Sequence, residues 1–147
     1  MAKSPNVRLL NRLLRTELAA AAVYEKALTH VDDPADRKVL QENRTSHATR
    51  AVMLGQLIQR RGGEPVHRAG PLSWIGKLVE AGASMMGRDA LMRSLREAEA
   101  LSLESYLTNV KRLDAESAEE VAEYGVLEQQ HALNRIAARA RPRPRRR

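Results

Sequence analysis

Residues 10–31, LNRLLRTELAAAAVYEKALTHV, and residues 92–113, MRSLREAEALSLESYLTNVKRL, decide the fold. In the first, an apolar stripe reads Leu10, Leu14, Glu17, Ala21, Tyr24, Leu28, Val31. In the second it reads Met92, Leu95, Glu99, Leu103, Tyr106, Val110, Leu113. Steps alternating between three and four mark one face of an amphipathic helix. Each stripe carries a glutamate where leucine is expected, and a tyrosine seven residues later. An inward carboxylate without a partner is costly or takes up a proton, so Glu17 and Glu99 both demand compensation.

Working outward, Ser4-Pro5 opens the first helix with a capping hydroxyl and a proline suited to the first turn. Asp33-Pro34 repeats that signal after a short turn, so a second helix returns antiparallel. Its stripe is read as Leu40, Arg44, His47, Ala51, Leu54, Ile58, and Gly62-Gly63-Glu64-Pro65 stops it. Residues 72–86 predict a short amphipathic helix with Leu72, Ile75, Leu78, Val79, Gly82 and Met86 on one side. A third helix opens at Asp89 and a fourth near Asp114, its stripe read as Val121, Tyr124, Glu128, His131. Pro142 and Pro144 forbid regular helix in the tail.

An internal repeat underlies this order. The first and third helices superpose at an offset of 82, pairing Glu17 with Glu99 and Tyr24 with Tyr106; the second and fourth are matched at 84, pairing His47 with His131. Two helical hairpins joined by a long crossover predict an all-α, antiparallel four-helix bundle over residues 1–140, with 72–86 riding on the crossover and 141–147 a disordered Arg/Pro tail.

Composition bounds the chemistry. The chain has 147 residues, no Cys, no Phe and one Trp. Disulfides, thiolate metal sites and cysteine nucleophiles are therefore excluded. The net charge of +7 includes Arg139, Arg141, Arg143, Arg145, Arg146 and Arg147; without these six the chain carries +1. The basic character belongs to the tail, whose arginines are candidates for nonspecific contact with nucleic acid or an anionic surface. No apolar run approaches a membrane span, and the N-terminus shows no signal-peptide apolar region, so the expected location is cytoplasmic. No phosphate-cradling glycine loop or Ser/His/Asp arrangement supports nucleotide or hydrolase chemistry.

Glu128-Gln129-Gln130-His131 is a Glu-x-x-His pair. Its side chains project about 60° apart and one turn apart in height, so both reach a single ion, and carboxylate with imidazole suits Fe, Mn or Zn. With the two-hairpin repeat and the two Glu-x6-Tyr pairs, the chain resembles the ferritin-like superfamily. It is most similar to rubrerythrin-like bacterial families of unassigned function, whose crossover also carries a Trp-containing stretch like Leu72-Ser73-Trp74-Ile75-Gly76-Lys77. The resemblance implies Glu17 and Glu99 as terminal metal ligands, Glu128 as a bridging ligand, His47 and His131 as imidazole ligands, and Tyr24 and Tyr106 beside the centre. It also implies a second bridging glutamate three residues before His47, where this chain has Arg44. A cation there replaces an anion, which leaves three readings. One is a degenerate, structural or stress-associated bundle binding no metal, or one metal at Glu99, Glu128 and His131. The second is a di-iron oxidoreductase or iron-handling protein. The third is a bundle docking on nucleic acid through its tail. The Ala-rich bundle and the extra amphipathic helix favour a homodimer, with a monomer as the alternative.

Overall fold

The helix signals are used as written. In the computed structural model, which describes residues 4–69 and 87–141, Ser4 accepts a hydrogen bond from the Val7 N–H and α1 runs Pro5–Ala27. A 3₁₀ turn, Leu28–His30, completes its last turn. Asp33 accepts from the N–H groups of Ala35 and Asp36 and opens α2, Pro34–Arg60. Gly62, at φ +72°, takes the left-handed conformation that ends α2. α3 spans Arg88–Val110. Asp114 then accepts from the Ser117 N–H and caps α4, Ala115–Val121. A π-helical turn, Ala122–Val126, and α5, Leu127–Arg139, follow without a break, so α4, the turn and α5 form the fourth rod. The expected helix at 72–86 and tail residues Arg143, Arg145, Arg146 and Arg147 lie outside the described residues.

The four rods pack as two antiparallel hairpins. Leu40 of α2 and Leu91 of α3 share one apolar cluster with Val23, Leu28 and Ile136. Leu10, Leu13, Leu54, Ile58 and Val121 form a second cluster at the opposite end. The helix-2 and helix-3 N-termini therefore meet at one end, as a long crossover requires. Buried Asp36 fastens that end. It accepts from Arg88 Nε and Nη2 at 2.8 and 2.9 Å, and from Arg139 Nε at 2.8 Å. The two guanidiniums outweigh the effect of burial and hold its pKa down to about 2.

Two of the expected inward faces need correction. On α2 the buried line is Leu40, Asn43, His47, Arg50 and Leu54, and Arg44 is exposed. Spacing alone admits either Asn43 or Arg44 between Leu40 and His47. Asn43 is the one turned inward, where its amide donates to Tyr24 OH and to the Ala132 carbonyl, each at 3.0 Å. On the fourth rod the buried line is Ser117, Val121, Gly125, Gln129, Ala132 and Ile136. Steps of four drift about 40° per turn of an α-helix. The π turn absorbs that drift and moves the inward face one residue on, from Tyr124 to Gly125 and from Glu128 to Gln129. His131 accordingly stands at the surface, its side chain 52% exposed.

Candidate functional site

Between the two apolar clusters lies a buried polar layer, and Glu17 and Glu99 face each other across it. His47 of α2 sits between them. Its Nδ1 is 2.6 Å from Glu17 Oε2 and its Nε2 is 2.8 Å from Glu99 Oε1. An imidazole can serve two carboxylates only by donating from both nitrogens, so His47 is an imidazolium. Burial opposes that charge, but the fields of Glu99 and Glu17 and their hydrogen bonds outweigh it and lift its pKa to about 9. Burial likewise works to raise the Glu99 pKa; the His47 charge and hydrogen bond prevail, and it is lowered overall.

Arg50, one turn along α2, supplies a second buried cation. Its Nη1 donates to Glu17 Oε1 at 3.1 Å and to Gln129 Oε1 at 2.5 Å; its Nε donates to the Ser46 carbonyl at 3.4 Å. Arg50 Nη2 also lies 3.1 Å from His47 Nδ1, and the two cations tolerate this proximity because Glu17 is against both. With two carboxylates and two cations the layer is neutral, as a buried ion cluster must nearly be.

The remaining lone pairs are filled from across the bundle. Tyr24 OH donates to Glu99 Oε1 at 2.6 Å, and Tyr106 OH donates to Glu17 Oε1 at 2.5 Å. Each phenol is held neutral, first by burial and then by the neighbouring carboxylate, which raise both pKa values well above normal. Each tyrosine also faces one cation: the Tyr24 and His47 rings stack at 5.6 Å, and the Arg50 guanidinium lies 5.8 Å from the Tyr106 ring centre. Gln129 Nε2 donates to Glu99 Oε2 at 2.5 Å, and Asn43 Nδ2 donates to Tyr24 OH at 3.0 Å. No buried side-chain polar atom among the described residues lacks a partner.

An offset of 82 relates both halves of this layer. It pairs Glu17 with Glu99, Tyr24 with Tyr106, Asn43 with Gly125, His47 with Gln129 and Arg50 with Ala132. Gly125 follows from the packing: a Cβ there would lie 2.7 Å from Tyr106 Cε1. The single offset, rather than 82 for one pair of helices and 84 for the other, identifies Gln129 and not His131 as the counterpart of His47.

The expected ligand set is therefore only partly gathered. Glu17, His47 and Glu99 meet, with Tyr24 and Tyr106 against them. Glu128 lies at the edge, 37% exposed, accepting from Ser46 at 3.0 Å and from Arg135 at 2.9 Å. His131 is 3.4 Å from Glu128 on the surface side. Arg44 takes no place in the layer, and Arg141 is exposed beyond the end of α5. Arg50, Asn43, Ser46 and Gln129 were missed. The signals for them were the uniform 82-residue offset and a cation three residues after His47.

The di-metal scheme of four-helix bundles takes one glutamate from each of two helices and a Glu-x-x-His pair from each of the other two. Here the pairs facing Glu17 and Glu99 at that spacing are His47/Arg50 and Gln129/Ala132, so the layer holds two carboxylates instead of four. A metal also needs a lone pair on imidazole nitrogen. Both His47 nitrogens are directed at carboxylates, and a fixed guanidinium lies beside them. The residues present do not fit a di-metal centre, and among the described residues no group of three or more His, Asp or Glu side chains is arranged to hold a metal.

By sequence, no family model and no curated protein matches the chain. By structure, the chain is similar to ferritin-like, diiron-carboxylate proteins from Bacillus anthracis str. Ames, with a TM-score of 0.72 and 16% identity, over 94% of this chain and 99% of that one. At that identity the likeness establishes the fold.

Proposed function

We propose that this ferritin-like bundle is a non-catalytic, structural or stress-associated protein in which an imidazolium and a guanidinium take the place of metal cations between Glu17 and Glu99. One observation carries the reading: His47 spans both carboxylates, one ring nitrogen to each, at 2.6 and 2.8 Å. Metal entry there requires removing a proton from His47 and displacing Arg50, both of which the carboxylates stabilise. The one-metal alternative at Glu99, Glu128 and His131 draws no support from the geometry, because His131 stands at the surface and Glu128, at the edge of the layer, is taken by Ser46 and Arg135. The oxidoreductase alternative needs an anionic pocket, and this layer is already neutral.

Elemental analysis tests the reading after anaerobic loading with Fe(II), Mn(II) or Zn(II) and desalting. The expected result is no stoichiometric metal. One or two equivalents per chain, lost on Glu17→Gln or Glu99→Gln substitution, would overturn it. Converting the four facing positions, as His47→Glu, Arg50→His, Gln129→Glu and Ala132→His, restores the carboxylate count and is expected to give a folded variant that takes up metal.

A further inference from the structure

The crossover leaves α2 along a defined path. Gly63 lies so close to α1 that a Cβ there would come within 2.6 Å of Val7 Cγ1. Buried Asn11 of α1 then holds the next residues as a neighbouring backbone would. Its Nδ2 donates to the Glu64 carbonyl at 3.0 Å, and its Oδ1 accepts from the Val66 N–H at 2.9 Å. Pro65 rests against Gly55 of α2, its Cβ 3.8 Å from the position a Cβ would take there. These contacts bring Pro65, Val66 and His67 into the lining of a groove between α1 and α2, of about 390 Å³. Leu18, Ala21, Ala48, Ala51 and Val52 continue its walls, and Val52 is left 62% exposed. Among the described residues, none that line it is Asp, Glu, Lys or Arg.

We propose that this groove is the seat of residues 72–86 of the same chain, docked by the apolar side of their amphipathic pattern. The clamp at Asn11 delivers the chain to the groove, and the place where the crossover ends sets the span. Arg88 bonds Asp36 at the far end of α2, and Asp36 lies 19 residues before Gly55, about 28 Å away along the helix. A helix over 72–86 covers about 22 Å of that rise. Counted back from the level of Asp36 at the same rise per residue, Leu72 falls beside Ala51. The chemistry matches as well. Leu72, Ile75, Leu78, Val79, Gly82 and Met86 share one side of such a helix, and the only charged residues of the stretch, Lys77 and Glu80, fall on the other. An apolar side therefore meets a groove without acids, lysines or arginines, whose small residues Ala48, Ala51 and Gly55 permit close approach of the backbones.

The test is crosslinking in the full chain, which has no cysteine of its own. Val52→Cys combined with Leu72→Cys or with Ile75→Cys is expected to join within one chain under a short bismaleimide, at a yield independent of dilution. Val52→Cys combined with Lys77→Cys, on the opposite side, is expected to join about tenfold more slowly, since it must wait for local opening. Limited proteolysis adds a readout that needs no crosslink. Val52→Asp, at an exposed position outside both core clusters, is expected to leave the bundle folded by circular dichroism and to speed tryptic cleavage after Lys77 about tenfold. Crosslinks between chains that grow with concentration would place a second copy on this face and overturn the proposal. Equal yields from both sides of 72–86, no crosslink from either, or cleavage after Lys77 indifferent to Val52→Asp would overturn it too.

Discussion

Raising the pH from 6.5 to above 9 should remove the contribution of His47 to stability without changing any covalent group. The folded-state pKa is about 9 against 6.5 for the free side chain. Because the folded value is the higher, the contribution is complete below pH 6.5 and disappears as pH rises through 9. A difference of about 2.5 units corresponds to about 3 kcal/mol, lost at up to about 1.4 kcal/mol per pH unit within that window. For a domain of this length that is roughly a 10 °C fall in Tm. Urea unfolding followed by circular dichroism at half-unit pH steps measures it directly. His47→Gln should start lower and lose the slope that His47 supplies between pH 6.5 and 9. A wild-type curve that is flat between pH 6.5 and 9, or a His47→Gln curve with the same slope, would refute the bridging imidazolium.

Three further outcomes follow from the same geometry. Arg50→Met strands Glu17 with one cation for its two oxygens and is expected to cost about 3–5 kcal/mol in urea unfolding; pairing it with Glu17→Gln should cost less than the two single losses together. Gly125→Ala places a Cβ 2.7 Å from Tyr106 Cε1 and is expected to cost about 1–3 kcal/mol, because the ring is held by its bond to Glu17. Asp36 has a folded pKa of about 2 against 3.8, so its contribution is present above pH 3.8 and lost as pH falls through 2. Asp36→Asn is therefore expected to cost about 2 kcal/mol at pH 7 and to flatten acid unfolding below pH 4.

The fold was legible because its signals are local and repeated: Ser4-Pro5, Asp33-Pro34 and Asp114 cap helices where they stand, and the Glu17 and Glu99 stripes set the inward faces of α1 and α3. The site was half legible for the same reason. Glu17, Tyr24, His47, Glu99 and Tyr106 lie on faces whose steps of three and four are unambiguous. Arg44 and His131 misled because a period of 3.6 admits neighbouring residues as alternative inward positions. On α2 the inward position is Asn43, whose amide bonds Tyr24 OH and the Ala132 carbonyl, and Arg44 is left exposed. On the fourth rod, a π turn moved the inward face by one residue. Its trace in the sequence is the run Ser117, Val121, Gly125, Gln129 at steps of four. The glycine in that run is explained only by the Tyr106 ring packed against it.

The central claim is that a doubly protonated imidazole occupies the middle of the bundle, and ¹⁵N-resolved NMR of the His47 ring tests it most directly. At pH 7.5 both ring nitrogens are expected to carry protons and to keep their shifts when excess Zn(II) or Mn(II) is added. A neutral ring with one bare nitrogen, moving or broadening as metal is added, would contradict the account and return Glu17, His47 and Glu99 to the role of metal ligands.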